Sequence, residues 1–282
     1  MVKTGIKRTL FLTICAAMLG TAGCAAKNVS KTQSVPENTS AAAPETIPET
    51  APEETQTQAV VELPKLSEEE RQLLEQLTQW MQEDEWAQAA RTMLEQGDAL
   101  SRLYYETLAG EPYRFADGEL CEELSGDGLV LSGASTLFWG SFGENGPEGQ
   151  CTALQAVNLD APRYDYAAGN WEKGEMEGAG ETGYRYFESV PESEPAKVCR
   201  GGTFSKNQME GAVVCQNTAA DETVTTWTIQ VEHGVVVTDE RWTRSEETGA
   251  LQLIADDNPM YAYEIAPGEE GEEKFSNFLI WN

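Results

Sequence analysis

A short phrase recurs along the second half of this chain: Phe142-Gly-Glu-Asn-Gly-Pro-Glu-Gly149, Trp171-Glu-Lys-Gly-Glu-Met-Glu-Gly178, Phe204-Ser-Lys-Asn-Gln-Met-Glu-Gly211 and, more weakly, Trp227-Thr-Ile-Gln-Val-Glu-His-Gly234. Each copy is an aromatic residue, a turn, and a glycine seven residues on. Such recurrence constrains the fold because a small unit of this kind cannot bury its own apolar face and must pack on its neighbours. Three residues after the aromatic, the first three copies carry Asn145, Gly174 or Asn207, the residue types that most easily enter the left-handed backbone region. Residues 136 to 142 and 149 to 155 are strand-like and flank Asn145-Gly146, a short-range hairpin signal. Two residues before the first three aromatics stand Gly140, Gly169 and Gly202. A glycine inside a strand marks a bulge or a close approach, here expected where a neighbouring hairpin's ring lies across the chain.

The resulting pattern, Gly-x-aromatic-x-x-Gly/Asn-x-x-x-Gly, resembles the MORN (membrane occupation and recognition nexus) repeat, a β-hairpin unit reading Tyr-x-Gly-x-Trp-x-x-Gly-x-x-x-Gly-x-Gly. The fullest match is Gly169-Asn-Trp171-Glu-Lys-Gly174-Glu-Met-Glu-Gly178-Ala-Gly180, and the first copy adds Phe138 at the tyrosine position. The third copy has Arg200 there; the fourth lacks the leading glycine and has Gln230 at the turn. The resemblance covers about residues 130 to 240. It implies a mainly β fold, with stacked β-hairpins of a MORN-repeat array over residues 110–282, preceded by a short N-terminal α-helical segment. Units of this family are about 23 residues long. The aromatics here are 29, 33 and 23 residues apart in turn, so the first two connections are expected to carry insertions. Pro191-Glu-Ser-Glu-Pro195 is one such insertion, expected as an exposed loop. The rings of Phe142, Trp171, Phe204 and Trp227 are expected in the core of the array. The competing expectation is a row of exposed rings that bind sugars or partner proteins.

Residues 1–23 read as a lipoprotein signal peptide: Lys3, Lys7 and Arg8, an apolar run from Leu10 to Leu19, then Thr21-Ala22-Gly23 before Cys24. The run is too short for a membrane span. The ending resembles a bacterial lipobox, which implies that Cys24 is acylated and becomes the mature N-terminus; Thr21 stands where leucine is usual, and a plainly cleaved signal is the alternative. Residues 24–64 are rich in Pro, Thr, Glu and Ala and contain no aromatic residue. Such a stretch cannot bury enough apolar surface to offset chain entropy and reads as a disordered tether. The expected location is therefore extracytoplasmic, with the lipid on Cys24 holding the chain to the bacterial membrane.

The chain carries 48 acidic against 19 basic residues, a net charge of −29, and losing the signal makes it more negative still. That field repels phosphate backbones and anionic head groups, so nucleic acid is not an expected partner. Asp256-Asp257-Asn258 and Asp127-Gly128 lack the ligand spacing of a calcium loop, and no metal or other cofactor is expected. Four cysteines follow Cys24, at 121, 151, 199 and 215, none with zinc-like spacing. Cys199 and Cys215 are symmetric about Asn207 and are candidates for a disulfide across the third hairpin; a one-residue register shift would separate them, and free thiols are the alternative.

Residues 65–109 change period. Ser67 and Glu70 form a capping box, and Leu73, Leu77, Trp80 and Met81 share one helical face. Trp86, Ala89, Ala90, Met93 and Leu94 repeat the spacing after Asp84, Gly97-Asp98 interrupts it, and Leu100, Leu103, Tyr104 and Leu108 form a third stripe. Three short helices are expected to pack together or to cap the first hairpin; a partner-binding helical module is the alternative. Residues 242–282, with Trp242, Tyr261, Tyr263, Trp281 and an acidic loop at 268–273, are expected as strands closing the far end. No Gly-x-Ser-x-Gly elbow, P-loop or dinucleotide fingerprint occurs, and His233 sits where MORN units commonly carry a turn histidine. The expected role is a non-enzymatic scaffold for an envelope protein partner. Cell-wall glycan or ligand binding through Trp139 or Trp242 is the alternative, and carboxylate-dependent hydrolysis ranks third.

Overall fold

Eleven antiparallel strands follow one another into a single meandering sheet, in the order β11-β10-β9-β8-β7-β6-β5-β4-β3-β1-β2. They are β1 (Arg114–Ala116), β2 (Glu119–Cys121), β3 (Gly126–Gly133), β4 (Thr136–Gly143), β5 (Gly146–Val157), β6 (Arg163–Glu172), β7 (Glu175–Tyr186), β8 (Lys197–Ser205), β9 (Gln208–Thr218), β10 (Val224–Glu232) and β11 (Val235–Val237). The fold is mainly β, and a short helical segment precedes the sheet. This computed structural model describes residues 62–188, 190–191, 194–237, 242–244, 251–253, 264–265 and 275–281. The signal segment, Cys24, the tether up to residue 61, Asp256-Asp257-Asn258, Tyr261, Tyr263 and the loop at 268–273 lie outside the described residues. Leu63–Asn282 belong to one compact unit. In place of a continued array at the far end, β12 (Trp242–Arg244), β13 (Leu251–Leu253) and β14 (Glu264–Ile265) form a separate three-stranded antiparallel sheet.

The hairpins close through two-residue turns in which both central residues have positive φ: Asp117-Gly118, Lys173-Gly174, Lys206-Asn207 and His233-Gly234. This is the turn type whose twist matches a right-handed pair of strands. Gly174 and Asn207 therefore do what their type predicts. Asn145 does not: the β4–β5 turn is Glu144-Asn145, between Gly143 and Gly146, and the positive φ, 126°, falls on Gly146.

The fourth copy is also out of frame. Glu232 pairs with Val235 around His233-Gly234, so Gly234 is a turn residue and not a closing glycine. Counting back from that turn as from Lys173-Gly174, the slot held by Trp171 is held here by Val231, which is fully buried. Trp227 lies two full alternations further back along β10, beyond Ile229, opposite Cys215, and only partly buried.

Alternation gives the sheet two apolar faces. One carries Phe138, Phe142, Ala153, Ala167, Trp171, Met176, Phe204, Met209, Val213, Ile229 and Val231, closed by Phe275 and Leu279 from the C-terminal segment. The other carries Leu129, Leu131, Leu137, Leu154, Ala156, Tyr164 and Tyr166 and is covered by the helices. These are α1 (Glu68–Gln82), α2 (Trp86–Glu95) and α3 (Gly97–Arg102), the last running into a π-helical turn, Leu103–Thr107. Among the described residues, no helix is long and apolar enough to cross a membrane. The breaks fall at Asp84, with φ 57°, and at Gly97, as the periodicity predicts. Instead of capping the end of the array, α1 and α2 lie on its face: Leu74, Leu77, Met81, Ala89, Ala90 and Met93 join the apolar side of β3 to β6, and Trp86 meets Tyr166 at 5.1 Å.

The capping box forms at the start of α1, with the Glu70 amide donating to Ser67 Oγ (3.3 Å) and the Ser67 amide to Glu70 Oε2 (2.7 Å). Burial opposes charge on Glu70, yet hydrogen bonds from Thr107 and Ser67 outweigh it and hold the carboxyl below its ordinary 4.5. The pairing is thus complete above pH 4.5 and is lost as the pH falls through the lowered value. Ser67→Ala is expected to cost about 1 kcal/mol at neutral pH by urea unfolding, with the difference from wild type shrinking in acid. A neutral-pH difference within error of zero would show that the cap does not hold this helix.

Candidate functional site

Successive hairpins are bolted together at their turns by one arrangement used three times. The Lys173 amide donates to the Glu148 carboxylate and the Gly174 amide to the Pro147 carbonyl, both at 3.0 Å. One hairpin on, the Lys206 amide meets Glu177 and the Asn207 amide the Met176 carbonyl, again at 3.0 Å. At the third step the His233 amide meets Glu210 (3.1 Å) and the Gly234 amide the Met209 carbonyl (3.0 Å). A left-handed turn presents consecutive N–H groups, and a carboxylate with a neighbouring carbonyl accepts them. Glu148, Glu177 and Glu210 thus link neighbouring hairpins, although the sequence pattern attends only to the rings and glycines. The readable signal was a glutamate directly before the closing glycine in all three good copies. His233 Nδ1 also lies 2.6 Å from Glu210 and is otherwise exposed, in keeping with a turn role.

The ring positions are structural. Trp171 and Phe204 are each 1% exposed and Phe142 5%. Trp171 Nε1 donates to the Cys151 carbonyl at 2.9 Å, so the ring lies across the preceding hairpin. Gly140 and Gly169 sit at close approaches, but the nearest atoms are backbone of the facing strand in the same hairpin, not a neighbour's ring. A Cβ on Gly169 would fall 2.5 Å from Gly180 Cα, whereas one on Gly202 would meet Val213 Cγ2 at 3.2 Å. Gly149, Gly178 and Gly211 all have positive φ, between 74° and 84°, at the closing position of the phrase.

The disulfide geometry does not occur. Cys199 faces Gln216, and Cys215 faces Arg200, one register step away. Cys215 is buried on the face of Phe204, while Cys199 lies on the opposite face, 3.5 Å from Glu181. All four described thiols are free. Burial pushes Cys151 and Cys215 up to about 12, and burial with the Glu181 charge pushes Cys199 up to about 11. At neutral pH these three are protonated and poorly nucleophilic. Ellman's reagent on the native protein should therefore modify Cys121 first among the four, the others reacting only on unfolding; rapid native labelling of Cys199 would contradict this.

Two regions of the sheet are candidate partner sites, one exposed and one half-buried. The first is the helix-free half of the second face. Beyond β7 no helix among the described residues covers it, and Thr203, Ala212, Val224, Thr226, Thr228 and Gln230 are exposed in rows across β8, β9 and β10. The second lies on the opposite face. Arg163 Nε is 2.9 Å from Asp165, and its guanidinium stands over Tyr184 (4.6 Å) and Tyr186 (5.6 Å). Tyr186 donates to Glu194 from the β7–β8 connection at 2.6 Å. Burial pushes the Asp165 carboxyl up, with Arg163 acting against the shift. Glu194 and Pro195 thus pack back, Pro195 being buried, although the prolines predict an exposed loop. Trp139 is partly buried against the cluster beneath the helices. Of Trp242 only the backbone is described. Asp127 accepts from Ser141 Oγ at 2.6 Å. No protein family matches the chain, and no curated protein matches it significantly.

Proposed function

We propose that this protein is a membrane-anchored bacterial lipoprotein, tethered through Cys24, whose MORN-like hairpin array acts outside the cytoplasm as a non-enzymatic scaffold for an envelope protein. The observation that carries this reading is the helix-free face of β8 to β10: a polar and β-branched surface on paired strands, with Thr203, Thr226 and Thr228 exposed. Flat, firmly held surfaces of this kind suit recognition of another protein, because little conformational entropy is lost when they bind. The acidic charge supports export and argues against nucleic acid or anionic lipid as the bound partner. A photo-crosslinker placed in cells at Thr226 or Thr228 should give discrete adducts with an envelope protein, and the same probe at Tyr105, exposed on the helical side, should not. Equal labelling from both sides would remove the reading. Palmitate incorporation that survives Cys24→Ser would remove the anchor.

A second reading, glycan binding, is favoured by the cluster of Tyr184, Tyr186, Arg163 and Asp165, which joins aromatic rings to a carboxylate and a guanidinium. It requires co-sedimentation with insoluble peptidoglycan that is lost in Tyr184→Ala.

A further inference from the structure

The C-terminal residues do not extend the sheet. Residues 275–281 run as an extended strap across the turn ends of successive hairpins, against the direction in which the array grows. Phe275 opens the strap at the β10–β11 turn: its amide donates to the Gly234 carbonyl (3.4 Å), its carbonyl accepts from the Met209 amide (2.9 Å), and its ring lies 5.1 Å from the Arg200 guanidinium. Asn277 is held at the next turn. Its amide donates to the Asn207 carbonyl (2.7 Å) and its Nδ2 to Asn207 Oδ1 (3.0 Å), an oxygen that also accepts from the Met176 amide. Trp281 reaches two turns further, edge-on to Phe138 at 5.2 Å and tilted on Phe142 at 5.8 Å. The ring fills the space where a side chain on Gly146 or Gly174 would stand, with Cβ positions 2.5 and 3.0 Å from its atoms.

These contacts read side chains and not merely backbone. Phe275, Asn277 and Leu279 point inward and are buried, whereas Phe278 and Ile280 point outward, 66% and 51% exposed. Asn277 is further locked by its own strap, accepting from the Leu279 amide at 2.9 Å. The groove is therefore a recognition site for an extended Phe-x-Asn-x-Leu-x-Trp segment, occupied here by the chain's own end. Residues 238–274, which include β12 to β14, stand between that end and β11 in the sequence, so the strap is not carried directly by the strand whose turn it first meets.

We propose that this groove also binds residues 275–281 of a second copy of the chain, so that two molecules exchange straps reciprocally. The contacts of residues 275–281 made within one chain can be made between two, and protein concentration then enters the balance. A second copy is the occupant because it presents the very residues that the groove is seen to hold. The inference goes beyond the scaffold reading and uses another surface, the turn ends in place of the helix-free face, so either can fail without the other.

The test uses two full-length variants. One, Asn277→Ala with Trp281→Ala, has a defective strap and an intact groove; the other, Asn207→Gly, has an intact strap and lacks the groove's side-chain acceptor while keeping a residue suited to the left-handed turn. Each alone should be monomeric by light scattering, and an equimolar mixture should give a species of twice the mass, joined by the one intact strap in the one intact groove, which is half of the reciprocal exchange. A mixture that remains monomeric overturns the exchange. As a measurement that does not depend on those variants folding, a labelled Phe275–Trp281 peptide is titrated into the wild-type chain. Saturable binding should be lost when the peptide carries Asn277→Ala and kept when it carries Phe278→Ala, and binding to the strap-defective chain should be at least tenfold tighter. No binding up to millimolar peptide, or binding indifferent to Asn277, overturns the site. Peptide binding with a monomeric mixture overturns the second copy as its occupant.

Discussion

Trp171→Ala is expected to lower the stability of the domain by about 3–5 kcal/mol, the range for truncating a large buried aromatic. The indole is 1% exposed and meets Phe138 edge-on at 5.6 Å, at the centre of the strap face. It also donates to the Cys151 carbonyl, so its removal leaves a cavity and takes away a hydrogen bond between two hairpins. Since each hairpin is stabilised by its neighbours, damage at this joint loosens both. Trp227→Ala is the internal comparison. Although the recurring phrase places Trp227 in the same slot, it is only partly buried, and its loss is expected to cost less than half as much. Urea unfolding of both variants measures the difference, and iodide should quench Trp171 fluorescence only after unfolding. Equal losses, or a Trp171→Ala cost near 1 kcal/mol, would mean that the repeat does not stack through this ring.

That comparison also shows where the sequence was readable. The helices were, because capping and a 3.6-residue period are local: Ser67 and Glu70 announce α1, and Asp84 and Gly97 break the pattern where the chain turns. The hairpins at Lys173-Gly174 and Lys206-Asn207 were readable for the same reason, as their turns depend on the backbone freedom of one or two residues. Asp117-Gly118 carried an equally strong turn signal for β1–β2 that the ring-based pattern passes over. The misreadings concern register. An aromatic and a glycine seven residues apart also occur by chance at Trp227 and Gly234, and only strand pairing reveals that the turn there is His233-Gly234. Cys199 and Cys215 fail likewise. A turn of two residues, Lys206 and Asn207, has its centre between them, so two positions symmetric about Asn207 itself cannot be partners, and the bulge between Gly201 and Thr203 leaves them one step apart. Least readable were the two surfaces formed by distant segments. The alternation in residues 275–281 predicts a strand, but that the strap runs across turns 70 residues away in sequence depends on the fit of Asn277 to Asn207. The placement of the helices on the sheet face, which leaves β8 to β10 open, likewise depends on which strands come to lie beneath Leu74 and Met81.

The second large effect separates two glycines that the phrase treats as equivalent. Gly169→Ala is expected to destabilise by about 2–5 kcal/mol, the sum of backbone strain and overpacking. Gly169 faces Gly180 directly across β6 and β7, with φ 154°, and an added Cβ would lie 2.5 Å from Gly180 Cα and 2.6 Å from the Ala179 carbonyl oxygen. Both obstacles are backbone held in the middle of the sheet. No rotamer change can relieve them, and parting the strands would break the pairing that aligns Trp171 with Met176. Gly202 occupies the same slot one hairpin on, but it is not in the left-handed region. Its nearest neighbour is a valine methyl at 3.2 Å, which has to yield by only a few tenths of an ångström. Gly202→Ala is therefore expected to stay within about 1 kcal/mol of wild type, because the loss of chain entropy in the unfolded state offsets a slight contact. Urea titrations of the two variants decide the matter. If they are equally destabilised, the glycines serve the repeat as a sequence signature and the close approach of β6 to β7 is not what requires them; if only Gly169→Ala collapses, the requirement belongs to the backbone contact of Gly169 with Ala179 and Gly180, since Gly202 also faces Gly180 but without that contact.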